Sequence, residues 1–444
     1  MSTHALAPNI APSQNLVDLH RDLASFCEFG SRTETGSCRV ERALVPVYTN
    51  EFWTSKQREG HSVHEISYRA CYKPQLPDFF IRRFAAPGDT VYDPFMGRGT
   101  TLIQAQLRGC KVIGNDVNPL AKTLVYPRLV PPTLLQVKKR LAEVNLASLE
   151  LTEKEGADDL LVFFHPDTLS EILAWKNYFR QRRNASLFDS IDAWIEMVAC
   201  NRLTGHSRGF FSVYTLPPNQ AASVQSQQKI NEKRGQIPEY RNTKELILRK
   251  SRQLLADPFP KGYGDAEPLL LCGSAEWTPQ IESNSVKLIV TSPPFLDTVD
   301  YLQDNWLRMW FSGASMDAGR IWQCKRLEDW LSRMQSCFTE FHRVLKNDGV
   351  IAFEVGEIRK GALPLEKEVI RAASHAQLIP ECVVINSQVF TKTANCWGVK
   401  NNRDGTNTNR IVVLKKQSAP LCEFAAVRSD SRSRLNYVQR DFFA

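Results

Sequence analysis

The stretch at residues 89–119, "DTVYDPFMGRGTTLIQAQLRGCKVIGNDVNP", decides the fold. It opens on an apolar run of strand length, turns at Gly97-Arg98-Gly99, continues through an apolar segment of helical length, and ends in a second strand-like run that stops on Asp116. Strand, glycine turn, helix and strand in that order make the βαβ unit of a doubly wound α/β sheet. The glycines remove side chains where the strand gives way to the helix, so a ligand can approach the backbone and the helix N-terminus. Asp116 follows Asp93 by about the 20-residue interval at which a second-strand carboxylate takes a ribose hydroxyl pair in nucleotide-binding α/β folds. The candidate lining of this nucleoside pocket is Asp93, Pro94, Phe95, Gly97, Gly99, Thr100, Asp116 and Asn118. There is no GxxxxGK[ST] loop, and Leu102 stands where the third glycine of a dinucleotide fingerprint would be.

Outward from this unit the strand–helix alternation stops. From about residue 130 to 260 the pattern is helical and mixed, with "PDTLSEILAWKNYFRQRR" as its clearest helix, and the alternation resumes at "PLLLCGSAEW". A second apolar run, "VKLIVTSPPFLDTVDY" at residues 286–301, halts on Thr291-Ser292-Pro293-Pro294-Phe295. Adjacent prolines cannot donate to a ladder and hold the backbone extended, so they end the strand where open α/β sheets place their chemistry. A long helix, "LEDWLSRMQSCFTEFHRVLKNDG", is expected to stop on Asn347-Asp348-Gly349, followed by strands at "VIAFEVGEI", "ECVVINSQVF" and "NRIVVLKK". The expected architecture is one doubly wound, Rossmann-like sheet with a mainly helical inserted domain. Its divisions are a polar leader with one helix (1–60), a first core half (61–130), the insertion (131–262), a second core half (263–417) and a tail (418–444).

Composition bounds the function classes. At 444 residues, with 43% hydrophobic and 23% charged residues, the chain has room for more than one domain and the usage of a folded protein. No apolar run is long enough to span a bilayer, and "MSTHALAPNI" lacks the charged and apolar regions of a signal peptide, so a cytoplasmic location and no membrane partner are expected. Eleven cysteines without a CxxC pair argue against a disulfide framework and a structural zinc site, and no metal is expected. The net charge of +8 favours a polyanionic partner.

"DPFMGRGTT" resembles the motif of S-adenosylmethionine-dependent DNA amino-methyltransferases, and "TSPPF" is similar to their catalytic tetrapeptide. The resemblance covers roughly residues 61–125 and 265–416. It implies that donor and base meet where the first and fourth strands lie side by side, with S-adenosylmethionine as cofactor. The implied catalytic residues are Ser292, Pro293, Pro294 and Phe295. Ser292 Oγ and the Pro293 carbonyl draw on the N–H groups of an exocyclic amine, and Phe295 gives the extruded base a flat face. A carbon-5 cytosine enzyme would need a nucleophilic cysteine in a Pro-Cys context, and no such dipeptide occurs. "HSVHEISYRACYKPQLPDFFI", residues 61–81, resembles the element lying against the methionine end of the cofactor, which implies Tyr68, Lys73 and Pro74. Where many relatives have Asp after Gly at the third strand, this chain has Gly273-Ser274, which makes Ser274 the candidate adenine-ring contact, through its hydroxyl or a backbone group. The serine of "TSPPF" favours cytosine N4, while the order of the two motifs leaves adenine N6 open.

Double-stranded DNA is the expected partner, with a cognate restriction endonuclease as a second. Between Lys229 and Arg252 eight basic residues stand against three acids, which makes Lys244, Arg249 and Lys250 candidate phosphate contacts. "NRLTGHSRGFFSVYTLPPNQ" adds Arg208, and the loop "FTKTANCWGVKNNRDGTNTNR", at the position where the family closes over its target base, adds Trp397 and Lys392. Two rivals stay open: an RNA amino-methyltransferase, and a non-catalytic DNA-binding protein that keeps the fold.

Overall fold

The computed structural model describes residues 16–54, 60–69, 71–149, 157–294, 300–314, 322, 324, 326–355, 364–387 and 408–417. The glycine-turn unit forms as β3 (Thr90–Asp93), α3 (Thr100–Leu107) and β4 (Lys111–Asp116). It is preceded by helix α1 (Leu16–Ser25), strands β1 (Glu34–Val40) and β2 (Ala43–Asn50), and helix α2 (Gln75–Phe84). Beyond β4 the chain runs through α4 (Leu120–Leu129), α5 (Leu134–Glu143), α6 (Pro166–Asn184), α7 (Ser190–Arg202), α8 (Val224–Arg234) and α9 (Thr243–Leu254) before β5 (Leu269–Cys272) returns to the sheet. Then follow β6 (Val286–Thr291), α10 (Tyr301–Ser312), α11 (Leu327–Val344), β7 (Leu345–Val355), α12 (Leu365–His375), β8 (Leu378–Ser387) and β9 (Thr408–Lys416).

The strands make one sheet in the order β1-β2-β8-β9-β7-β6-β3-β4-β5. The chain steps outward from β3 through β4 to β5, then returns to lay β6 on the other side of β3, with Val91 opposite Leu288 and Tyr92 opposite Ile289. Strand order therefore reverses between β3 and β6, and the turns after these parallel strands open into one crevice. Alternation along the strands separates two apolar layers. Val91, Leu288, Val290 and Ala352 face the side covered by α1 to α4, while Tyr92, Ile289, Ile351 and Phe353 face α11 and α12. A third cluster joins the helices between β4 and β5 to α10 through Leu124, Trp175, Trp194, Met197, Leu307 and Phe311. No helix among the described residues is long and apolar enough to cross a membrane.

Two expectations are corrected. The first 60 residues are more than a polar leader: β1 and β2 form a hairpin, and Val47–Asn50 pair in parallel with Val383–Asn386, extending the sheet. Most of β1 is exposed, so its sequence lacks the apolar alternation that marks a half-buried strand. Helix α11 ends at Val344 rather than at the Asn-Asp-Gly signal. The Arg343 and Val344 carbonyls accept from the amides of Asn284 (3.0 Å) and Ser285 (2.9 Å), so the loop before β6 terminates the helix and the chain turns straight into β7.

Gly114 shows how closely β4 lies beneath α3: a Cβ there would stand 2.5 Å from both Leu102 Cδ1 and Met96 Sδ. Gly114→Ala is expected to destabilise the fold by about 1–3 kcal/mol through overpacking. Chemical denaturation would read this as a lower midpoint at unchanged slope.

Candidate active site

After Asp93 the chain turns through Gly97 (φ +47°) and Gly99 (φ +77°), left-handed conformations that favour glycine. At Gly99 sterics agree with conformation, because a Cβ would stand 2.6 Å from Val125 Cγ2. The turn is fastened to the end of β4, with Met96 N donating to the Asn115 carbonyl (2.9 Å) and Gly97 N to Asp116 Oδ2 (2.8 Å). Asn118 N donates to Asp116 Oδ1 at 2.9 Å. Burial pushes Asp116 up to about 6 against these two donors, and its side remains partly open to the cleft.

Asp93 closes the crevice from below. It is buried, and it accepts from Thr291 Oγ1 at 2.6 Å, from Phe95 N at 3.1 Å and from Tyr72 OH at 3.2 Å. Burial raises its pKa to about 6. Thr291 is the last residue of β6, so this carboxylate ties the glycine turn to the Ser292-Pro293-Pro294 turn that follows. On the far side, Trp330 of α11 donates Nε1–H to the Pro294 carbonyl at 3.0 Å.

Residues 61–69 with 71–72 form a strap over the glycine turn, held by two buried arginines. Arg98 donates to the carbonyls of Ile66 (2.7 Å) and Tyr72 (3.3 Å); Arg128 donates to the carbonyls of Leu124 (2.9 Å), Val63 (3.4 Å) and Arg98. The strap presents Tyr68 and Tyr72 to a cleft that is also lined by Asp93, Pro94, Phe95, Gly97, Thr100, Asp116, Asn118, Ser292, Pro293 and Pro294.

The expected cofactor and catalytic residues thus meet in one cleft, with exceptions. Gly99 shapes the turn without lining the cleft, and Pro74 precedes α2 as its N-cap. Lys73 is absent from the lining, and burial lowers its pKa. Ser274 Oγ bonds Glu276 Oε2 at 2.8 Å and accepts from Glu276 N at 3.2 Å, leaving Gly273 and Ala275 on the cleft. Phe295 lies outside the described residues, as do Lys392 and Trp397. Tyr72, Arg98, Tyr301 and Trp322 were not anticipated as cleft residues. Tyr301 has a signal in the sequence, as the aromatic that closes the stretch running on from "TSPPF".

Of the remaining DNA candidates, Lys244 bonds the Val144 carbonyl, and Arg249 donates to the Arg208 carbonyl at 3.2 Å. Lys250 is buried, 3.9 Å from Glu65. Phe210 and Phe211 in the adjoining loop are core residues, whereas Tyr214 is exposed beneath the Arg234 guanidinium.

The model of the DNA methylase family of N6 and N4 enzymes matches residues 41–126 and 286–440, more than half of the chain. The chain belongs to this family. It is similar to the type II methyltransferase M.MjaII of Methanocaldococcus jannaschii, at 33% identity over 109 residues, 24% of this chain and 20% of that one. It is also similar to the type II methyltransferase M.BsoBI of Geobacillus stearothermophilus, at 24% identity over 282 residues, 58% of this chain and 54% of that one. A solved structure, a putative DNA modification methylase of Thermus thermophilus in complex with S-adenosyl-L-methionine, is 18% identical, with a TM-score of 0.21 over 33% of this chain and 52% of that one. The chain spans about half or less of the length of the curated relatives it matches.

S-adenosylmethionine is the methyl donor of this family, and the cleft fits it. Gly97 leaves bare backbone on the cleft, and a Cβ there would stand in van der Waals contact with Tyr68 Cε1 at 3.6 Å. Asp116 accepts two backbone N–H groups out of about four acceptor positions on a carboxylate, which leaves capacity for ribose hydroxyls.

A ribose hydroxyl that donates to Asp116 is held more strongly by the ionised carboxylate than by the protonated acid. Cofactor affinity is therefore expected to be flat above about pH 6 and to weaken as pH falls through 6, by up to about tenfold per pH unit for each proton taken up. Stability of the unliganded protein carries the opposite sign. Both folded-state values lie above the ordinary 3.8, so their contribution is fully present below 3.8 and is lost as pH rises through about 6. Calorimetric titration with S-adenosylmethionine, beside thermal unfolding of the unliganded protein over the same pH range, checks both signs.

Proposed function

We propose that the protein is a site-specific DNA methyltransferase that methylates the exocyclic N4 amine of cytosine in duplex DNA, with adenine N6 as the second reading. The observation that carries this is the Asp93–Thr291 hydrogen bond at 2.6 Å, which sets the glycine turn and Ser292-Pro293-Pro294 against one cleft.

Bound there, S-adenosylmethionine supplies a methyl group on a positively charged sulfur. The chain supplies acceptors and alignment. An exocyclic amine is a weak nucleophile because its lone pair is delocalised into the ring. Ser292 Oγ and the Pro293 carbonyl would accept its two N–H groups and return that lone pair to nitrogen, which could then take the methyl in line as the carbon–sulfur bond breaks to leave a neutral thioether, one amine proton passing to water. The Pro294 carbonyl is already taken by Trp330, so the neighbouring Pro293 carbonyl projects from a backbone fixed on both sides. Tyr68, Tyr72 and Tyr301 line the cleft with aromatic surface that excludes water, and Phe295 and Trp397 are the faces we propose for the extruded base.

We further propose that residues 131–262 hold the duplex and read its sequence, with Lys392 reaching the backbone near the extruded nucleotide. A restriction endonuclease reading the same sequence is the protein partner we propose beside DNA. An RNA substrate is the less supported polymer, since the family model and the curated relatives are DNA methylases.

The test is nucleoside mass spectrometry after incubating the purified protein with methyl-labelled S-adenosylmethionine and unmethylated genomic DNA, with total RNA in parallel. Labelled N4-methylcytosine is the expected product. N6-methyladenine would replace the base in this reading, and label confined to RNA would overturn it. Ser292→Ala is expected to lower kcat by roughly 10²-fold or more, as loss of a single transition-state hydrogen-bond partner does. Its cofactor affinity should stay within about twofold, because that acceptor acts on the amine. An equal loss in both quantities would remove Ser292 from the chemistry.

A further inference from the structure

The helices between β4 and β5 contain a second concavity, lined by Arg202, Ser207, Gly209, Arg249, Lys250 and Gln253 with Leu246 as its apolar residue. Its basic groups converge. From the point where a Cβ would stand on Gly209, Arg249 Nη2 and Ser207 Oγ are each 3.4 Å away and Arg202 Nη1 is 3.9 Å away. Arg202 is fixed in this pose. Its Nε and Nη2 donate to the carbonyl and side-chain oxygens of Asn201 at 3.1 and 2.8 Å, and its guanidinium lies 4.0 Å over the Phe210 ring. Lys250 is buried beside it, and the carboxylate within ion-pair distance is Glu65, at 3.9 Å. Burial and the neighbouring guanidiniums push Arg202 down to about 9, and burial and Arg202 push Lys250 down to about 8. Three clustered cations repel one another, and a bound anion relieves that repulsion.

We propose that the pocket formed by Arg202, Arg249 and Lys250 around Gly209 binds a phosphate oxyanion. Resting on the DNA methyltransferase reading, we assign this phosphate to the backbone of the bound duplex. Guanidinium groups and an ammonium with a hydroxyl beside them match phosphate oxygens, whereas a cationic ligand would meet three like charges. The pocket also stands close behind the strap. Asn201 Nδ2 donates to the Ser67 carbonyl at 3.3 Å, one residue from Tyr68 of the cleft, and Glu65 faces Lys250. A phosphate held here would anchor the duplex at a fixed distance from the cleft without touching the cofactor.

Gly209→Asp, which places a carboxylate among the cations, and Arg249→Gln, at an exposed position, test this without removing a buried side chain. Duplex affinity is measured by anisotropy across a salt series, and cofactor affinity by calorimetry. Gly209→Asp is expected to weaken duplex binding about tenfold or more, and both variants to flatten the slope of log K against log salt by about 0.9 for the lost contact. Cofactor affinity should match the wild type. Inorganic phosphate should raise the unfolding midpoint of the wild type but not of Gly209→Asp. A phosphate shift in the wild type with duplex binding untouched in both variants would keep the oxyanion pocket and assign it to a free phosphorylated ligand. No phosphate shift, with affinity and slope unchanged in both variants, would overturn the pocket. Duplex binding that follows the expected pattern in a protein that transfers no methyl group would instead defeat the functional reading and leave the pocket standing.

Discussion

The site depends on one buried carboxylate. Asp93 sits where strand order reverses, and Thr291, Phe95 and Tyr72 each give it a hydrogen bond. These donors come from the end of β6, the turn after β3 and the strap, so a single side chain fixes the relative position of the walls of the cleft. Removing it would leave the Thr291 hydroxyl and the Phe95 amide without this acceptor, and a buried unsatisfied donor costs about 1–3 kcal/mol. Its own raised pKa is the other side of that arrangement, because burial opposes the charge that makes it such a good acceptor.

The strap is held by cations that serve neutral acceptors. Arg98 and Arg128 donate to the Thr100 hydroxyl and to backbone carbonyls, and burial pushes Arg128 down to about 9. A planar fork can serve several carbonyls at once, which a lysine ammonium on a flexible stem cannot do in the same geometry. Arg98 lies between the two turn glycines. The residue that gives the turn its strap therefore belongs to the turn that borders the cleft, and the strap cannot shift without disturbing that turn.

Glycine and proline made the two turns legible in the sequence, because they impose backbone conformations that few other residues adopt. The adjacency of β3 and β6 followed from the order of strand and helix signals around those turns. The strap contacts were illegible, since a side chain bonding a distant carbonyl leaves no periodic trace. The local partner of Ser274 was equally illegible: its hydroxyl bonds Glu276, two residues on, while Gly273 and Ala275 on either side of it line the cleft. Lys250 is a different case. Leu246, Ile247, Lys250 and Leu254 share the buried face of α9 at helical spacing, so its burial was readable from the pattern, although the count of basic residues pointed outward. The β1–β2 hairpin escaped because an exposed antiparallel edge lacks the apolar alternation by which strands are recognised.

The helices between β4 and β5 are mechanically continuous with the cleft. Their apolar cluster takes in Leu307 and Phe311 of α10, the helix that follows the Ser292-Pro293-Pro294 segment in sequence. Arg308 of α10 is buried and donates to the carbonyls of Ser67 (3.1 Å) and Pro218, while Asn201 of α7 reaches the same Ser67 carbonyl. Arg69 pairs with Asp304 at 2.9 Å, again joining the strap to α10. Strap, α10 and α7 thus share partners on either side of Tyr68, and interiors packed and hydrogen-bonded in this way resist independent displacement. The helices are consequently referenced to the Tyr68 wall of the cleft through two residues of strap. That rigidity suits a transfer in which the acceptor nitrogen and the methyl carbon have to be aligned by the protein.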